Sequence, residues 1–160
     1  IVENLNNNYA VFLKQLQMLK KKKKRIHLIV DVEKIIFVNN KIEINKIFFN
    51  IFKENKVLTR AFNKSINSLS DFYIFLNSTK SYLEIIKNSN DTESALYNFP
   101  KYLFAERDVF LKIYNKTKKD KLIKIYKNLS KVELLVRQNS ELYLVVGLRF
   151  FLNLKKIITS

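Results

Sequence analysis

One glycine, Gly147, and one proline, Pro100, are present in a chain of 160 residues, and this scarcity limits the folds open to it. Tight β-turns depend on these two residue types, because glycine reaches positive φ without steric cost and proline presets the turn dihedral. A sheet protein needs many such turns, so a β architecture is disfavoured. We therefore predict an all-α fold, a bundle of about seven to eight helices.

The hydrophobic content supports a folded core. Apolar residues make up 48% of the chain, which is too much for a disordered protein despite its charge. A chain of this length can bury roughly 70% of the surface that it exposes when unfolded. No apolar run reaches the ~18 residues that a membrane span requires, so we expect no membrane partner.

Positive charge is the second constraint, with a net charge of +16 that is unevenly placed. Residues 101–160 carry 14 Lys and Arg against 5 Asp and Glu, whereas residues 41–100 carry 8 against 6. Such an excess fits a polyanionic partner, because basic side chains neutralise phosphates. The alternative is compositional, since Lys, Asn, Ile and Phe are the residues of AT-rich codons and the lysines then form a solvated surface.

Apolar residues recur at helical spacing in successive segments. The pattern predicts helices over residues 5–19, from Lys41, over 57–77, from Ser78, from Asp91 or Thr92, over 101–114, from Thr117 and from Ser140. The segment 26–36 is ambiguous between a short strand and a capped helix. In the last helix the residues expected to face inward are Leu142, Val145, Val146, Phe150 and Leu154. Phe72 and Phe75 fit either a core or a base-stacking surface.

Two groups of basic residues are candidate contacts to nucleic-acid phosphates, with a solvated surface as the alternative. They are the run Lys20, Lys21, Lys22, Lys23, Lys24 and Arg25, and the cluster Lys118, Lys119 and Lys121.

Residue types that carry catalysis are sparse. The chain has no Cys and a single His, His27, which excludes thiolate and paired-histidine metal sites. A glycine-rich phosphate loop needs more than one glycine. The carboxylate pairs are two residues apart, so on a helix their side chains do not face each other. We predict no intrinsic enzymatic activity, no cofactor, no metal and no small-molecule substrate.

Several segments resemble, in order, the C-terminal helical domain of the delta subunit of the bacterial DNA polymerase III clamp loader. The segments are Val57–Phe62, Asp91–Leu96, Pro100–Arg107, Leu129–Arg137 and Glu141–Arg149, and Thr117 lies where the family has a Ser helix start. Upstream, Leu13–Leu16 and Asp31–Ile36 resemble the end of the family's small helical lid domain. The chain departs from the family in having one Pro at the Pro-aromatic-basic motif, no Trp before the Ser position, and Asn in place of interhelical Gly.

This resemblance implies two parts, residues 1–40 ending a lid-like domain and residues 41–160 forming a collar-like domain. It implies a cytoplasmic, bacterial role in DNA replication, as a non-catalytic scaffold that assembles with other clamp-loader subunits within a DNA polymerase holoenzyme. DNA contact would be weak and sequence-independent. The expected subunit interface comprises Leu142, Val145, Val146, Arg149 and Phe150.

The family's ATPase-like domain, with its sliding-clamp contact, would precede Ile1. We therefore expect the chain to be a C-terminal portion or the product of a shortened gene. The alternative function is a free-standing basic helical protein that binds RNA or DNA directly, which requires the two lysine groups to share a face. A helical enzyme of another kind is the third class.

Overall fold

Every regular element between residues 40 and 160 is a helix, which confirms the all-α prediction. The structure is a computed structural model that describes residues 40–160. These residues belong to one unit, Asn39–Ser160. The predicted helix over 5–19, the basic run Lys20–Arg25, the ambiguous segment 26–36 and His27 lie outside the described residues.

Six α-helices follow a mixed helical start. Residues 40–46 are α-helical and continue into the 3-10 helix Ile47–Phe52; together they are called the leading segment. The α-helices are α1 Asn55–Ser65, α2 Leu69–Asn88, α3 Thr92–Tyr97, α4 Arg107–Lys116, α5 Lys119–Gln138 and α6 Tyr143–Thr159. Short 3-10 helices, Lys101–Glu106 and Ser140–Leu142, precede α4 and α6.

The last helix, α6, organises the bundle. It packs against the leading segment, α1, α2, α4 and α5, with α5 and α6 forming an antiparallel hairpin. Its buried residues recur every three or four positions, as an apolar stripe on a helix requires; they are Gly147, Phe150, Phe151, Leu154 and Ile158. The ring of Phe151 lies 5.5 Å from that of Phe75 and 6.2 Å from that of Phe62. Three helices therefore meet in one aromatic cluster.

Phe72 and Phe75 of α2 belong to this core. Both side chains are fully buried, so they are not available to stack on nucleic-acid bases. Large aromatic side chains contribute much of the hydrophobic stabilisation of a bundle, because each removes a large apolar area from water.

The predicted break between two helices at Ser78 is wrong. A single helix, α2, runs through this position, and the break lies ten residues earlier, between Ser65 and Leu69. Ser68 caps α2 there, because its hydroxyl accepts a hydrogen bond from the Asp71 amide at 3.1 Å. Ser78 instead donates its hydroxyl to the Phe75 carbonyl within the helix, at 3.0 Å. A serine side chain can thus either start a helix or bond back along one.

The helix predicted over 101–114 is interrupted near its start. The 3-10 helix Lys101–Glu106 contains Leu103 in a non-helical conformation, with φ −105° and ψ 21°, and the α-helical backbone begins at Arg107. Leu103 is nevertheless buried.

Two of the three expected caps are wrong. Asp91 does cap α3, accepting from the Ser94 amide at 2.7 Å. Thr117 does not cap α5, because its hydroxyl donates back to the Ile113 carbonyl at 2.7 Å and closes the end of α4. Ser140 lies in a 3-10 turn, and α6 begins after Leu142 without a side-chain cap.

Candidate interaction surface

Four exposed aliphatic side chains lie within the residues on either side of the turn from α5 to α6. Leu134 and Leu135 are 56% and 47% exposed at the end of α5, and Leu142 and Val145 are 49% and 69% exposed at the start of α6. These four residues are called the hairpin patch. They lie at one end of the hairpin, because the turn that joins its two helices spans only residues 139–142. Grouped apolar side chains on a surface are typical of a contact with another protein.

Four of the five residues predicted to form a subunit interface lie on this end of α6. Leu142, Val145 and Arg149 are exposed and Val146 is half-buried. Their spacing of three, four and seven residues places them on neighbouring lines of the helix surface. Phe150 lies elsewhere: it is 3% exposed and its ring packs 6.5 Å from that of Phe75. Phe150 therefore serves the core of this unit and is outside the exposed surface.

The expectation that Leu142 and Val145 face inward is wrong. The inward stripe of α6 is fixed by Gly147, where the helix approaches the Phe72 ring closely. Counting back from this position by three and four residues gives Leu144 and Tyr143, which are half-buried and pack on the core. Leu142 and Val145 fall between these positions and so face outward.

The three lysines predicted to contact phosphates at 118–121 differ in their exposure. Lys118 and Lys119 are exposed at the start of α5. Lys121 is half-buried and donates its ammonium to the Ile158 carbonyl, at 3.4 Å, near the end of α6. A cation there is favoured by the negative end of the helix dipole. Lys121 therefore contacts α6. The expectation that this cluster shares a face with Lys20–Arg25 stays a prediction, because that run lies outside the described residues.

Sequence reasoning did not select three further lysines on α5. Lys124, Lys127 and Lys131 are exposed, at spacings of three, four and seven residues. They lie on the face opposite the buried stripe of this helix, which is Leu122, Ile125, Leu129, Val132 and Val136. The helical spacing of these three lysines is visible in the sequence. The prediction of phosphate contacts instead fell on the adjacent cluster at 118–121, because its lysines are closer together in the chain.

An aromatic cleft lies around the 3-10 helix Lys101–Glu106. Tyr97 and Phe104 are 88% and 70% exposed on its walls, and Pro100 contributes to the lining of a volume of about 390 Å³. The guanidinium of Arg107 lies 5.9 Å from the centre of the Phe104 ring. Glu93 also lines the cleft, so its charges are mixed.

Two tyrosines, Tyr82 and Tyr126, have a pKa that is raised by burial. Burial raises the pKa of Tyr82, and the neighbouring Tyr102 adds to this effect. The Tyr82 hydroxyl donates to the Asn45 carbonyl at 3.2 Å, which fixes the leading segment to α2. Burial also raises the pKa of Tyr126, with a further contribution from Glu84.

Acidic side chains are dispersed among residues 40–160, which contain no histidine. Between residues 40 and 160 no three His, Cys, Asp or Glu side chains are grouped so that they could hold a metal ion. In the same part of the chain, no helix combines the length and the apolarity that a bilayer span demands. Comparisons with protein-family models, curated proteins and solved structures find no match to this chain.

Proposed function

We propose that this chain is a non-catalytic assembly module of DNA replication, equivalent to the C-terminal collar portion of a clamp-loader delta subunit. It would work in the bacterial cytoplasm by joining other clamp-loader subunits. The observation that carries the proposal is the hairpin patch, an exposed aliphatic surface at the end of the α5–α6 hairpin. The ordered resemblance of the helical segments to the delta family supplies the identity of the partners.

The composition of the patch suits a protein partner. Leu134, Leu135, Leu142 and Val145 are flanked on α6 by the exposed Arg149, and arginine at the margin of an apolar centre is common in interfaces. Covering each half-exposed aliphatic side chain contributes about 1 kcal/mol. For the four side chains this is about 4 kcal/mol, which reaches only the lower end of the ~4–15 kcal/mol lost on association. The patch is therefore the anchor of a larger contact, on the order of 800 Å² per partner.

Further support lies in how polar side chains are used inside the bundle. Lys155, near the end of α6, donates to the Lys53 carbonyl at 2.6 Å and to Asn55 at 2.8 Å, and Lys121 contacts the Ile158 carbonyl. Polar groups thus join the helices of the bundle to each other. The proposed work of the module is rigid presentation of a surface.

Co-purification with the other subunits of a clamp loader tests the proposal. We expect the full chain to be retained by those subunits and Val145→Asp to weaken retention at least tenfold, which corresponds to about 1.4 kcal/mol. The cause is an unpaired carboxylate brought into an apolar contact. Folding of the variant is protected, because Val145 lies in the first turn of α6, where an acidic side chain is favoured.

Ile123→Asp is the matched control. Ile123 is 68% exposed, against 69% for Val145, and it lies on α5 outside the hairpin patch. It should leave retention unchanged. If the wild-type chain stays monomeric beside the clamp-loader subunits, the assembly proposal is wrong. Equal losses for the two variants would remove the hairpin patch as the contact.

A further inference from the structure

We propose that α5 binds the phosphate backbone of double-stranded nucleic acid through a ridge of three lysines, Lys124, Lys127 and Lys131. These three residues are called the lysine ridge. The contact is independent of base sequence and goes beyond assembly with other subunits. It concerns residues outside both basic groups that the sequence analysis selected.

The helical geometry makes the three lysines one surface. Positions separated by three, four and seven residues lie on the same side of an α-helix. The buried stripe of α5, from Leu122 to Val136, holds the opposite side against the core, so the ridge is fixed in orientation. The ridge extends ~10 Å along the helix axis, at 1.5 Å per residue. This length matches about three base pairs of duplex at 3.4 Å each.

Among residues 40–160, no carboxylate forms an ion pair with a ridge lysine. Within residues 40–160 the ion pairs are Lys46 with Glu43 and Lys80 with Glu133. The second pair engages Glu133 of α5 with a lysine of α2, which removes that carboxylate from the surface available to the ridge. The other acidic residue of α5, Asp120, is exposed in its first turn, four residues before Lys124 and on the same side of the helix, and no ion pair joins the two. The surface keeps a net positive charge, because its three lysines outnumber this one carboxylate.

The residues between the lysines favour nucleic acid over a protein partner. Two exposed aliphatic residues, Ile123 and Leu134, lie on the same side of α5 as the ridge, one near each of its ends. Ser130 is the remaining exposed residue inside these limits. A protein contact draws its affinity from a buried apolar centre, which the ridge lacks and the hairpin patch has. A charged surface of this kind binds by releasing counterions from phosphates.

Fluorescence anisotropy of the full chain with a labelled 20-base-pair duplex of random sequence tests the inference. Across about 50–200 mM NaCl, log K should fall linearly with log salt concentration. Replacing all three ridge lysines with Gln should make this slope shallower by about 2.7, or 0.9 for each lost phosphate contact. At about 0.1 M salt the affinity should fall at least tenfold.

Lys41→Gln, Lys56→Gln and Lys64→Gln, combined in one variant, form the matched control. All three residues are exposed and the change in net charge is the same, but they lie on the leading segment and α1. We expect this variant to retain most of the affinity and slope. Far-UV circular dichroism checks that both variants remain helical.

Several outcomes would overturn the inference. Equal losses in the two triple variants would mean that binding follows net charge alone, as compositional drift predicts. Absence of duplex binding at 50 mM NaCl would remove the site. Displacement of the duplex by polyglutamate at equal charge concentration would assign the ridge to acidic polypeptides. Val145→Asp should bind the duplex normally, so failure of the assembly proposal and failure of this one are separable.

Discussion

At the scale of single residues, Gly147 shows why one small side chain matters to the whole bundle. A Cβ at this position would lie 2.6 Å from Cε2 of Phe72 and 2.9 Å from Cζ of Phe62. Both rings are fully buried and cannot swing into solvent. The glycine is therefore required for close approach of α6 to α1 and α2, not for an unusual backbone angle.

We expect Gly147→Ala to destabilise the protein. Alanine favours helix by about 0.5–1 kcal/mol over glycine, but forcing a methyl group into a packed core costs about 1–3 kcal/mol. The net loss should be on the order of 1 kcal/mol. Urea denaturation followed by circular dichroism measures it.

Phe72→Leu supplies the matching test, because the smaller side chain gives room to the added methyl group. Phe72→Leu should lower the free energy of unfolding less in the Gly147→Ala background than in the wild type, and a double-mutant cycle detects this difference. Strict additivity of the two substitutions would contradict the close-approach interpretation.

At the scale of elements, the helix starts depend on a few polar contacts. The start of α2 is the most connected: Ser68 accepts from the Asp71 amide, and the Asp71 carboxylate accepts from the Asn67 amide at 3.1 Å and from the Asn40 side chain at 3.3 Å. These bonds satisfy amides that a helix start otherwise leaves without partners. They also connect α2 to the leading segment.

Ser68→Ala should therefore lower the free energy of unfolding by about 1 kcal/mol, because the Asp71 amide loses its acceptor. Ser70→Ala is the comparison, since Ser70 is exposed in the same first turn and is not the cap. Its effect should stay within about 0.5 kcal/mol. The capping interpretation fails if chemical denaturation finds the two variants equally stable.

At the scale of the whole molecule, unbalanced charge opposes compactness. The net charge is +16, and the ion pairs that the structure describes within 40–160 involve only two of the lysines. Like charges on a compact body repel one another, and salt screens this repulsion over a Debye length of about 10 Å at 0.1 M. The hydrophobic core, by contrast, changes little over the same salt range.

Raising NaCl from about 20 to 200 mM should therefore raise the melting temperature, by about 2–4 °C for each kcal/mol of repulsion that is screened. Differential scanning calorimetry at constant pH measures the shift. An uncharged osmolyte at matched osmolality controls for preferential exclusion from the protein surface. A melting temperature that falls with salt would show that attractive pairs dominate the electrostatics.

The sequence determined the fold class and most of the core. Scarce turn residues pointed to helices. The apolar residues of α5 recur at 3–4 spacing in the sequence, and of these Leu122, Ile125, Leu129, Val132 and Val136 are buried and Tyr126 is half-buried. These inferences succeed because periodicity and turn chemistry are local properties of the chain. Asp91 was likewise readable as a cap, since the Ser94 amide that donates to its carboxylate is only three residues away.

Only the tertiary structure decided which hydrogen-bond partner each polar side chain takes and which residues of a helix face outward. Thr117 and Ser78 each had a competing backbone partner, and packing selected the bond back into the preceding turn. The outward direction of Val145 follows from where Gly147 meets Phe72, a contact across 75 positions of sequence that no local pattern encodes. Surfaces such as the hairpin patch and the lysine ridge are defined by what the core leaves uncovered, so they become visible only when the helices are assembled.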